Sequence, residues 1–170
     1  MKVFIEEQKY TQWYIWITHL FNLGMIGLFL YALYSQLILN TPFGDSPSPN
    51  WVLVVLIGVM IGISALIYSM KLSTRIDEKG IQYKFFPFHQ SFRKIPWENI
   101  NKVYTRKYNP ITEYGGWVLR TGFLSKKGKA VNISGNIGIQ LELKNNKKLL
   151  IGTHKEQDAK LILSTYKNKF

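Results

Sequence analysis

The chain has 170 residues, no cysteine and a formal net charge of +12. That length leaves room for one domain of about 100 residues beside a membrane segment, and the lack of cysteine excludes disulfides, thiol catalysis and cysteine-ligated zinc. The charge is uneven: residues 1–70 carry Lys2 and Lys9 against Glu6, Glu7 and Asp45, a balance of −1, while residues 71–170 carry 20 Lys and Arg against 7 Asp and Glu, a balance of +13. A domain this basic beside a membrane expects an anionic partner, lipid headgroups first.

Residues 1–12 read as a short N-terminal segment of mixed charge. A secretory signal fits poorly, because Glu6 and Glu7 spoil the basic region and no small-residue cleavage site follows the apolar run. Residues 13–39 contain no Asp, Glu, Lys or Arg, and neither do residues 51–70. At about 1.5 Å per helical residue each run can cross a hydrocarbon core of roughly 30 Å. Trp13, Tyr14 and Trp16 at one end of the first run, and Tyr31 and Tyr34 near the other, suit the two interfaces. His19 and Asn22 lie within that run, where they can reach headgroups or bond across to the second helix. Residues 40–50 form an external loop with three prolines and no Lys or Arg. In the second run Gly58, Gly62 and Ala65 share one helical face and are expected to serve helix packing, within the hairpin or between two copies. Lys71 and Arg75 follow the second run and Lys2 and Lys9 precede the first, so both termini are expected in the cytoplasm.

From residue 71 the period changes to two. Residues 73–77 and 81–85 read as strands joined by a turn at Asp77-Glu78-Lys79-Gly80, and a further strand precedes Pro96. Pro96 begins a helical turn with Trp97 and Ile100 facing in. Residues 102–108 are strand-like, 109–116 a loop, and two strands flank the basic turn of Lys126, Lys127 and Lys129. Ile139, Leu141 and Leu143 alternate with polar residues before an Asn145-Asn146 turn and a returning strand. The last element is a helix, with Thr153 expected as N-cap, Glu156 completing a capping box, and Ala159, Ile162, Leu163, Tyr166 and Phe170 on its inner face. The fold class is therefore a membrane α-hairpin plus a β-rich domain of about seven antiparallel strands, a bent sheet or small barrel closed by a C-terminal helix. Residues 71–170 are expected to fold on their own.

This order of elements carries a resemblance. The segments Arg75-Ile-Asp, Gly80-Ile-Gln-Tyr-Lys-Phe-Phe-Pro-Phe, Ile95-Pro-Trp-Glu-Asn-Ile, Tyr108-Asn-Pro-Ile-Thr-Glu-Tyr-Gly-Gly-Trp117, Ser134-Gly-Asn136 and Ile151-Gly-Thr-His-Lys155 resemble those of small uncharacterised bacterial membrane proteins with two transmembrane helices and a pleckstrin-homology-like (PH-like) domain. The resemblance implies the fold; the family brings no known reaction or ligand. Eukaryotic relatives grip phosphoinositides through basic residues of the first β-hairpin, and here that hairpin is read as Asp77 to Gly80, two acids and one base.

The expected function is a binding or scaffolding module at the surface of a bacterial inner membrane. The alternative is a membrane subunit of a larger transport or envelope complex, assembling through the hairpin. A partner-binding surface is expected around Arg106, Tyr108, Tyr114, Trp117, Arg120 and Asn136, because aromatics and Arg anchor interfaces and Gly115-Gly116 permits an unusual loop. Lys71, Arg75, Arg93, Lys94, Lys126, Lys127 and Lys129 are the candidate contacts to anionic lipid. The expected partners are the bilayer and another protein, with a homo-oligomer through the helices as a further option. Nucleic acid is set aside, because Tyr104, Tyr108 and Trp117 are needed for the core of a small domain. No cofactor, metal or catalytic residue is expected: His19, His89 and His154 are scattered and form no spaced ligand set.

Overall fold

The computed structural model describes residues 2–116, 118–120 and 128–170. The chain divides into two compact units, Tyr10–Ser69 and a second one made of Met1–Lys9 with Met70–Phe170.

The first unit is a hairpin of two helices, α1 (Trp13–Leu37) and α2 (Asn50–Ser69), both long and apolar enough to cross a membrane. One series of shielded positions runs along α1 through Ile15, His19, Asn22, Ile26, Phe29, Leu33 and Gln36, with Ala32 and Ser35 buried as well, and one runs along α2 through Leu53, Ile57, Met60, Ser64 and Ile67. Both series step by four and three, the spacing of a seam between two helices. The Asn22 amide donates to the Met60 carbonyl (3.0 Å) and to the Ser64 hydroxyl, so a polar side chain in an apolar run is satisfied across the seam. Gly58 and Gly62 lie off the seam: a Cβ built on either meets no atom within 4 Å, and the same holds for Gly24 and Gly27. Ala65 lines a groove between the helices with His19 and Ser64.

In the second unit, β1 (Phe4–Lys9), β2 (Lys71–Asp77), β3 (Gly80–Phe86) and β4 (Arg93–Ile95) form an antiparallel sheet in that order. A 3-10 turn (Trp97–Asn99) leads to β5 (Ile100–Lys107), the one-turn helix α3 (Pro110–Tyr114), β6 (Val118–Arg120), β7 (Lys129–Asn132), β8 (Ile137–Leu143) and β9 (Lys148–Gly152). These strands make a second sheet of order β5-β8-β9-β7-β6, and helix α4 (Glu156–Thr165) follows. The sheets do not close into a barrel. Leu72, Ile76, Ile81, Phe85, Ile139, Leu141, Leu150 and Ile151 are fully buried between and beneath them. Ala159, Ile162, Leu163 and Tyr166 bury the inner face of α4, and Trp97 meets the rings of Tyr166 and Phe170 at 5.4 and 5.6 Å.

Four details differ from the sequence reading. There are nine strands among the described residues instead of about seven, and β7 runs parallel to β9. The segment read as an N-terminal tail is β1, in register with β2 from Phe4↔Ile76 to Lys9↔Lys71. Consequently Asp77 to Gly80 is the second hairpin of its sheet; the connection between its first two strands is the whole apolar hairpin. Finally, α4 begins at Glu156 with Lys155 at the N-cap, because the Thr153 hydroxyl is engaged elsewhere: it accepts from the Lys155 N–H and donates to Glu6.

Candidate partner-binding site

The structure brings Arg106, Tyr108, Tyr114 and Asn136 together. Strand β5 delivers Arg106 and ends at Lys107; the Tyr108 N–H then donates to the Asn136 carbonyl at 2.8 Å, which seats the Ser134–Asn136 turn beside the α3 loop. The loop is built by its own caps. The Asn109 carboxamide accepts from the N–H groups of Ile111 and Thr112 (both 3.1 Å), Glu113 accepts from the Asn109 N–H, and Pro110 occupies the first helical turn. Gly115 closes the helix in the left-handed region at φ +73°, with its N–H and that of Gly116 on the Ile111 and Pro110 carbonyls. A Cβ at Gly115 would meet nothing, so it is the backbone angle that selects glycine there.

The aromatic side chains of this region face inward. Tyr108 and Tyr114 are both 5% exposed, meet edge to face at 5.9 Å and cluster with Ala130 and Leu150. Asn132, fully buried, donates to the Tyr108 hydroxyl at 2.7 Å. Burial pushes both tyrosine hydroxyls above their ordinary pKa. Arg106 is a hub: its guanidinium reaches Glu113 (2.9 Å), Tyr114 (3.0 Å), Gln140 (3.1 Å) and the Lys107 carbonyl (3.3 Å). Burial works against its charge, but Glu113 and Tyr114 outweigh that and hold its pKa above the usual arginine value. The side chains left on the surface here include Ile111, 62% exposed, Asn109, Thr112 and Asn136. Of the remaining candidates, Arg120 ends β6, and Trp117 lies outside the described residues.

Gln140, one of the polar residues that alternate with Ile139 and Leu141, is only 3% exposed, because Arg106 and Tyr114 cover its face of β8. Sequence reasoning missed a polar seam from β1 to the end of β9. Buried Glu6 accepts from the Thr153 hydroxyl and from the His154 N–H (2.7 Å), Gln8 donates to the Gly152 carbonyl (2.8 Å), and the His154 ring bonds the Ser134 hydroxyl at 2.8 Å. The sequence carries no apolar signal for this seam, since two of the three inward residues of β1 are polar.

The lipid-contact candidates separate. Arg75, Gln82 and Lys94 stand opposite one another across β2, β3 and β4, and Lys71 shares their face. Lys71 pairs with Glu7 at 2.9 Å, a bond that lowers the Glu7 pKa, and Arg75 pairs with Asp77 at 3.1 Å. Arg93 lies on the other face of β4, Lys129 is in the other sheet, and Lys126 and Lys127 fall outside the described residues.

These features define a class: a two-helix apolar hairpin joined to a two-sheet β unit with a C-terminal helix. Comparison with family models and with curated proteins finds no match to the chain.

Proposed function

We propose that the chain is a bacterial inner-membrane protein whose PH-like β unit is a binding or scaffolding module held at the cytoplasmic membrane surface, with both termini in the cytoplasm. One observation carries this reading: the apolar hairpin is spliced into the sheet as the connection between β1 and β2. Lys9 precedes α1 by four residues and Lys71 follows α2 by two, so two short strands of chain tie one end of the sheet to the two helices. A unit held at two points in this way cannot leave the bilayer, which suits a module that presents a surface there. The consecutive order β1-β2-β3-β4, the second sheet and the terminal helix support the PH-like assignment. The partner surface is the rim of the α3 loop, where Ile111 and Asn136 stand on a base held by the Arg106, Tyr108 and Tyr114 hydrogen bonds.

The test is crosslinking and capture of the full-length chain from its own membranes, with Ile111→Asp and Asn136→Ala as variants. Loss of a captured protein in both variants, with the chain still folded, supports the surface; unchanged capture in both removes it. A second reading, a subunit that assembles through the hairpin, is favoured by the uncovered face at Gly58 and Gly62. Under it Gly62→Ile abolishes assembly while the β-unit variants do not.

A further inference from the structure

The loop between β3 and β4 leaves three phenylalanines in solvent, Phe86, Phe88 and Phe92, at 42, 54 and 42% exposure. The loop is not loosely held. His89 is buried within it; its N–H donates to the Phe85 carbonyl at 2.7 Å and its ring Nδ1 accepts from the Phe85 N–H at 3.2 Å. The His89 ring meets Tyr83 edge-on at 5.6 Å, and Phe88 stacks on Phe85 at 5.7 Å. A turn that buries its histidine and shows three phenylalanines to water inverts the usual distribution, and such a patch marks an interaction surface.

Strand register fixes the place of this loop. Phe86 pairs with Lys71, and Lys71 pairs with Lys9. Both lysines stand where the chain enters and leaves the helices, Lys9 four residues before α1 and Lys71 two residues after α2, so the root of the loop is in register with both connections. The turn at Asp77 to Gly80 is at the other end of β3, about 20 Å away at about 3.3 Å per residue. Lys9, Lys71 and Lys84 surround the root of the loop, and Arg93 and Lys94 follow Phe92 directly.

We propose that the β3–β4 loop is a membrane-interface anchor: Phe86, Phe88 and Phe92 enter the boundary between headgroups and acyl chains, and the flanking lysines and Arg93 meet anionic lipid phosphates. The proposal rests on the reading that α1 and α2 cross the bilayer, and it names lipid as the occupant of this patch. Two properties favour lipid: the exposed phenylalanines are flanked in sequence and register by cations, and the strand that leads into them is paired along its length with β2, which follows α2 after a single residue.

The chain holds no cysteine, so single substitutions give unique labelling sites in the full-length protein. Three proteins, Phe88→Cys, Glu78→Cys and Val59→Cys, are labelled with a fluorophore and reconstituted in phosphatidylcholine–phosphatidylglycerol vesicles of about 7:3 composition. Spin-labelled lipid is expected to quench the label at position 88 about tenfold more strongly than the label at 78, with iodide in the reverse order. A label at 88 that iodide reaches as readily as at 78 overturns the anchor. Because Phe88 stacks on Phe85, Phe92→Cys repeats the measurement with that stack intact, and the same criterion applies. Position 59 separates the two failures: a lipid-quenched label there with a water-exposed label at 88 sinks the anchor alone, whereas a water-exposed label at 59 sinks the spanning hairpin and the anchor with it.

Discussion

Strand β1 belongs to the same compact unit as residues 70–170, so a separable β unit is expected to need it. Lys9 and Lys71 face each other across an antiparallel pair, so replacing residues 10–70 with Asn-Gly joins them through a two-residue hairpin loop. The resulting chimera is expected to be soluble and folded. Within it the decisive residue is Glu6, 4% exposed, whose carboxylate accepts from the Thr153 hydroxyl and the His154 N–H. Glu6→Ala leaves two shielded donors without their acceptor. At about 1–3 kcal/mol for each unmade bond, and with Thr153 the more deeply buried of the two, the loss is about 3 kcal/mol. For a domain of this size that is a fall in Tm on the order of 10 °C. Glu6→Gln keeps one acceptor oxygen and should recover part of it. The assay is thermal unfolding of the chimera and its variants by circular dichroism. A Glu6→Ala melt within about 2 °C of the parent, or a 71–170 fragment as stable as the chimera, would refute the argument that β1 completes the sheet.

Arg106→Ala in the same chimera removes the cation that pairs with Glu113 and bonds the Tyr114 hydroxyl and should cost about 3 kcal/mol in urea unfolding, against less than about 1 kcal/mol for the exposed Arg93→Ala. The His89 pKa is pushed below 6.5 by burial first and by Arg93 second, so the unfolded chain binds its proton more readily than the folded one. Its contribution to stability is therefore complete above about pH 6.5 and is lost as pH falls through the depressed folded value; unfolding at pH 7.5 and 5.5 should show this slope, and His89→Gln should flatten it. In intact cells a cysteine at Ser46 should react with an impermeant reagent and one at Asn145 should not; the reverse pattern would invert the topology.

Much of this architecture was legible because its signals are periodic. The two apolar runs, the β8–β9 hairpin and the inner face of α4 follow from spacing alone, and Trp97 faces inward as its position after Pro96 implies. What stayed hidden depends on polar residues bonded to polar residues. Phe4, Glu6 and Gln8 alternate correctly for a strand, but only Phe4 announces it. The loop around Tyr114 drew attention to residues that do converge, yet Tyr108, Tyr114 and Arg106 converge inward and support the loop instead of lining its surface. Gln140 could not be placed from sequence, because what covers it comes from a helix of one turn. Thr153 looked like a cap because its competing partner lies 147 residues away.

The splice of the hairpin between β1 and β2 has a consequence for biogenesis. Lys9 leaves the ribosome before either apolar run, and its sheet partner Lys71 only after both. If α1 and α2 cross the bilayer as proposed, the first strand waits, unpaired, while some sixty residues are inserted. It can complete its sheet only if the chain crosses the bilayer an even number of times and returns to the compartment it left. A hairpin that stalls after one crossing would maroon the two strands on opposite sides. The Glu6 carboxylate would then have no Thr153 to receive, and an unfinished sheet edge would be left for quality-control proteases. On the proposed topology, then, the pairing of β1 with β2 would double as an inspection of membrane insertion.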